Sequence, residues 1–291
     1  MKGWGSVFFS LSVLFNMLGL PEQAQAGRDV ELSQVYNKSD QKSGYPAVKP
    51  NRQLDISCFV SAIQAYPKFK SGWTMVDLRS EPAFEKFRVP GSIQIAEHAL
   101  ASRAFLKKRR LILINDGFNI DRMVSLCGEL KRAGFSSVVA LFGGVAQWHQ
   151  SGFPVEGTPP RYSQLLSISP DHFFQMKNSG FLQVMHVSAK DTIEQRSLFP
   201  ESVSTGGWRN VGRELDRVAA RYKGMLKPIA MMLVDQDGKS YEKNIGVVNG
   251  REYPVFFLAG GINAYRHYLG KQQAMREHLL HPPQRRTFCG Y

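Results

Sequence analysis

Cysteine is scarce in this chain: its 291 residues contain three, Cys58, Cys127 and Cys289. A disulfide framework is thereby excluded, because at most one internal bridge can form and one thiol is left over. Metal-ligand spacing is missing as well. None of the seven histidines stands at a ligand interval from a cysteine or carboxylate, so no metal site is expected. A phosphate-cradling loop is also absent, since Gly143-Gly144 lacks the lysine such a loop needs, and nothing points to a cofactor. Acidic residues number 24 against 37 Lys and Arg, leaving a net charge of +13. That balance favours anionic partners and says nothing about fold. The pairs Phe173-Phe174 and Phe256-Phe257 read as core rather than base-stacking platforms, so nucleic acid is not an expected partner. The run Lys107-Lys108-Arg109-Arg110 reads as a solvated lead-in to a strand.

One long apolar run exists, Val7 to Leu20, behind the positive Lys2 and ahead of Pro21 and Ala24-Gln25-Ala26. Positive start, apolar centre and small-x-small site read as a signal peptide over 1–26. The run is shorter than the ~20 residues of a spanning helix, so no transmembrane segment is expected after cleavage; an uncleaved anchor is the alternative. A periplasmic or secreted protein follows, in a compartment where disulfides persist.

Residues 27–52 are polar and read as a linker. Beyond them, Leu54 to Tyr66 predicts an amphipathic helix opened near Ser57, and Trp73 to Leu78 a buried strand. Glu81 to Phe87 suits a helical turn, and Val89-Pro90-Gly91-Ser92-Ile93 a tight turn into a strand. Leu111 to Ile114 is too short and branched for a helix. Met123, Leu126, Cys127 and Leu130 form one helical face closed by Gly134. Val138 to Phe142 is a further strand, turned sharply by Gly143-Gly144. Alternating strands and helices imply a parallel sheet covered on both faces.

The second half repeats the first. Phe199-Pro200-Glu201-Ser202-Val203 matches Val89 to Ile93, and Ile229 to Val234 matches the central strand. Leu258-Ala259-Gly260-Gly261-Ile262-Asn263-Ala264-Tyr265 matches Leu141 to Trp148. Ser169-Pro170 and Leu182 to Val187 fall in the same order, which marks a tandem duplication.

On these residues the chain resembles a tandem rhodanese, the family of thiosulfate and related sulfurtransferases. Val76-Asp77-Leu78-Arg79, Val89 to Ile93, and Leu141 to Trp148 with Gly152-Phe153-Pro154 carry the resemblance in the first repeat. In the second, His186 and Ser188 stand for Asp77 and Arg79, and Tyr265 for Trp148. The resemblance implies two three-layer α/β/α domains, over 53–157 and 165–280, each around a five-stranded mostly parallel sheet, with a tail at 281–291.

In this family a cysteine opens the loop after the central strand, where a thiolate accepts sulfur and loop N–H groups stabilise the charge. Here Ile114, Asn115 and Asp116 are the possible registers, and none is cysteine. The preferred register sets Asp116 at that position, with Arg122 six residues on, and Asp235 in the second repeat. Aspartate can act as a nucleophile in phosphoryl transfer but cannot carry a persulfide. The expected function is therefore a binding or interaction module without sulfurtransferase activity. Asn115, Gly117, Asn119 and Arg122 are its candidate contacts to a small anion or protein partner. Cys58 and Cys127 read as buried structural thiols. Cys289, beside Arg285 and Arg286, is the candidate reactive thiol for the alternative, a sulfurtransferase or redox protein.

Overall fold

A computed structural model describes residues 56–188, 192–224 and 229–280. The signal segment, the linker and the tail with Cys289 lie outside the described residues. The strands, in chain order, are β1 (Phe59–Val60), β2 (Thr74–Asp77), β3 (Phe87–Arg88), β4 (Ile93–Gln94), β5 (Arg110–Ile114) and β6 (Ser137–Leu141). They continue with β7 (Glu156–Gly157), β8 (Ser167–Ile168), β9 (Leu182–His186), β10 (Val203–Ser204), β11 (Ala230–Val234) and β12 (Val255–Leu258).

These strands form two five-stranded parallel sheets of the same topology. The first runs β1-β6-β5-β2-β4 and the second β8-β12-β11-β9-β10. Each central strand is buried on both faces; Leu111 to Ile114 and Ala230 to Val234 are all fully inaccessible. That is why both read as unbroken apolar runs rather than as alternating ones. The fold is thus two α/β/α units, as the duplication implied. A small antiparallel ribbon, β3 with β7, ties Arg88 to Glu156 across the first unit.

Most elements fall where the sequence places them. Met123, Leu126, Cys127 and Leu130 line the buried face of the helix Ile120–Arg132, and Gly134 follows it at φ 89°. The first predicted helix does not start where expected. Phe59 and Val60 are instead an edge strand paired with Ala140 and Leu141. The helix runs Ala62–Lys70, because Ser61 and Gln64 form a capping box that satisfies two otherwise orphaned N–H groups. Ser61, rather than Ser57, is therefore the counterpart of Ser169, which precedes the helix Pro170–Met176.

Cys58 and Cys127 are bonded to each other, with Cα atoms 6.4 Å apart. This corrects their reading as separate thiols. They are 69 residues apart in sequence, and only the packing of the Ile56–Cys58 turn against the helix Ile120–Arg132 brings them together.

The two halves differ after their central strands. In the first, the long helix Ile120–Arg132 covers one face of the sheet. In the second, the chain from Asp235 to Pro254 has only the short 3-10 helix Ile245–Val248. The first unit covers that region instead. Ile120, Phe142 and Ala146 belong to the second unit's core, and Gln147 and Gln150 donate to the carbonyls of Arg251 and Val248.

Candidate functional site

The strand ends of the first sheet meet the loop Asn115-Asp116-Gly117-Phe118-Asn119. Asn115 organises it. Its Oδ1 accepts from Gly117 N–H at 2.8 Å and its Nδ2 donates to the Phe118 carbonyl at 2.6 Å. A loop amide that could hold an anion is thereby already occupied. Gly117 has φ 100° and Asn119 φ 58°, both left-handed. Asn tolerates that region, whereas a Cβ at 117 would collide with the Gly143 carbonyl.

The two loops are equivalent one residue earlier than the preferred register. Val145 N–H donates to the Asn115 carbonyl and Ile262 N–H to that of Asp235, each at 2.9 Å. Gly144 is packed against Asn115 and Gly117, as Gly261 is against Asp235 and Asp237. Asp235 thus corresponds to Asn115, and Asp116 corresponds to Gln236. Pairing Asp116 with Asp235 is corrected accordingly. The shared backbone hydrogen bonds set this register, and residue spacing along the loop does not reveal them.

Arg122 does not face the loop. It lies between Glu97 at 2.6 Å and Glu129 at 2.7 Å, with its charge already matched. Those hydrogen bonds, Glu129's first, raise the Arg122 pKa, and the bond from Arg122 holds the Glu129 carboxyl below its ordinary value. Arg79 is likewise committed. It is buried, forms a 2.7 Å ion pair with fully buried Asp77, and donates to the Phe87 carbonyl at 2.7 Å. It fastens the end of β2 to β3.

Asp116 is exposed, yet it sits close enough to the interior that desolvation raises its carboxyl pKa. Arg79 and His172 oppose that rise and Asp77 adds to it. With Asp77 neutralised by Arg79, the charge left in this loop is that of Asp116, which is poorly suited to an anion. Phe118 closes the loop from the other side, packing edge-on against Phe256 at 5.3 Å and tilted to His172 at 6.3 Å. The loop is therefore a contact between the two units.

The second loop is filled from within. Asp235 Oδ1 accepts from Gly238 N–H at 2.5 Å, and the Tyr241 hydroxyl accepts from Asp235 N–H at 3.0 Å. Tyr241 is buried and stacks on Phe257 at 4.6 Å; burial, then the charge of Asp235, raises its pKa. His186, the counterpart of Asp77, has its Nδ1 3.1 Å from the Ser202 hydroxyl.

Neither loop brings together a nucleophile and a positively charged, open cradle. Sequence reasoning found both loops but missed His172, Phe256 and Tyr241. No local pattern connects residues 118 and 256, and Tyr241 reads as an ordinary loop aromatic.

Residues 62–151 match the rhodanese-like domain family. No curated protein matches the chain. Among solved structures, it is similar to the Rhodanese_3-like domain of an Anabaena protein, at 24% identity over 31% of this chain and 97% of that one, with TM-score 0.27. A protein of Bacillus halodurans is 20% identical over 45% of this chain and 90% of its own, with TM-score 0.33. A thiosulfate sulfurtransferase from Pseudomonas aeruginosa is 13% identical over 72% of this chain and 42% of its own, with TM-score 0.30.

Proposed function

Starting from residues 62–151 as a rhodanese-like domain, we propose that this is an exported tandem rhodanese-like protein that binds a protein partner and does not transfer sulfur. One observation carries the reading: both loops that follow a central strand lack cysteine and are closed. Asn115 and Phe118 close the first against the second unit, and Tyr241 fills the second. A persulfide needs a thiolate, and neither Asn115, Asp116 nor Asp235 supplies one. With Arg79 and Arg122 already paired and the Asp116 carboxylate in the loop, a protein partner is favoured over a small anion. Export is supported by the Cys58–Cys127 bond, which suits an oxidising compartment, together with the signal-like residues 1–26.

Transfer of sulfur from thiosulfate to cyanide tests the reading. Purified protein is expected to show no turnover above the uncatalysed rate. Turnover that survives Cys289→Ser would overturn the reading. Turnover lost in that variant would move the function to Cys289, because Cys58 and Cys127 are already bonded together.

A further inference from the structure

The opposite end of the first sheet, away from both loops, has a different character. In a parallel α/β layer all strands begin at one edge and the connecting helices end there. That geometry gathers three basic segments: Lys68 and Lys70 at the end of the helix Ala62–Lys70, the run Lys107–Arg110 leading into β5, and Arg132 at the end of the helix Ile120–Arg132. Lys70, Lys108, Arg109, Arg110 and Arg132 are exposed. The stretches 66–74, 98–114 and 130–142 contain no Asp or Glu at all. The basic run is thus more than a lead-in to one strand.

Apolar exposure coincides with this charge. Phe105, two residues before Lys107, is 61% exposed, while its neighbour Leu106 is buried in the core. At this edge a shallow hollow of about 750 Å³ is lined by Gln64, Lys68, Ser71, Trp73 and Arg110. Lys68 and Arg110 lie over the Trp73 ring at 4.8 and 5.6 Å. The ring is thus engaged by two cations. β1 runs parallel to β6, so the chain enters the domain from this same edge.

We infer that the amino-terminal edge of the first sheet docks on an anionic phospholipid surface, with Phe105 entering the headgroup layer and the basic residues around it meeting lipid phosphates. A surface aromatic within a basic cluster is the pattern of interfacial binding, with attraction to anionic lipid added to apolar insertion. No described helix is long and apolar enough to cross a membrane. The inference stands apart from the loops and from sulfur chemistry.

Co-sedimentation of the full chain with vesicles tests it, comparing equimolar phosphatidylglycerol and phosphatidylcholine with phosphatidylcholine alone. The phosphatidylglycerol vesicles are expected to bind more tightly, and added salt to weaken that binding. Lys108→Ala with Arg109→Ala should weaken partition about thirtyfold, from roughly 1 kcal/mol for each basic residue near an anionic surface. Phe105→Ala should weaken it further, while Lys271→Ala with Arg276→Ala, equal in charge change but on the C-terminal helix, should leave it unchanged. Equal binding to both vesicles overturns the inference, as does equal loss in the control pair or unchanged binding in the Phe105 and Lys108/Arg109 variants. A polyphosphate or RNA competitor that binds through Lys108 and Arg109, with no vesicle binding, also overturns it in favour of an acidic polymer. Salt dependence of the unaltered protein keeps the test valid if a variant fails to fold.

Discussion

Asn115 and Asp235 occupy the same place in the two halves of the chain. Each directly follows the buried apolar run of a central strand, and the carbonyl of each accepts one N–H at 2.9 Å from the helix after the paired glycines. Each also turns its side-chain oxygen back onto a loop amide, Gly117 N–H for Asn115 and Gly238 N–H for Asp235. Position and scaffold are shared, and both side chains are spent on loop geometry.

Gly117 should be intolerant of substitution. At φ 100° a Cβ is strained, and it would also strike the Gly143 carbonyl while crowding Phe256. Backbone strain and overpacking together predict a loss of about 2–4 kcal/mol for Gly117→Ala, read as a lower urea midpoint. A midpoint within error of the unaltered protein would show that the loop is not packed against the second unit.

Arg79→Met should destabilise by about 3–5 kcal/mol, since it strands the fully buried Asp77 carboxylate. Pairing it with Asp77→Val should recover most of that loss, because neither charge then remains buried. A thermodynamic cycle over the two single variants and the double variant measures the recovery. Simple additivity of the two losses would contradict the structure.

Reducing the Cys58–Cys127 bond should lower stability by about 2–4 kcal/mol, given the 69-residue separation it closes. Denaturation with and without a thiol reductant reads this directly. Cys58→Ser should reproduce the loss and make the protein insensitive to reductant, whereas Cys289→Ser should change neither midpoint.

The Asp116 carboxyl pKa is raised in the folded protein, chiefly by desolvation, so the folded state binds that proton more tightly than the unfolded chain. The charged form therefore costs stability above the folded pKa, and the cost vanishes below the model-peptide value of 3.8. Asp116→Asn is expected to raise the melting temperature near neutral pH by a small amount, because solvent reaches this side chain. The gain should fade as pH drops toward 3.8. A gain that grows on acidification would mean the pKa is depressed instead.

Local pattern was sufficient for the long central strands, the helix Ile120–Arg132 and the duplication, because burial on two faces and a 3.6-residue period leave direct marks on residue order. It was insufficient at β1, where Phe59 and Val60 suit a helix face as well as a strand. Pairing with β6 and the Ser61 capping box decided that case.

By itself, then, the sequence determined two repeated α/β units and the lack of cysteine in both loops, since these depend on residue identity and periodicity alone. Tertiary structure decided how the loops are packed. The equivalence of Asn115 with Asp235, the neutralisation of Arg122 by Glu97 and Glu129, and the contact of Phe118 with Phe256 each join residues distant in the chain or hidden by helical spacing. The Cys58–Cys127 bond and the basic edge around Phe105 arose the same way, because a parallel sheet collects its strand starts at one end whatever their order in the chain.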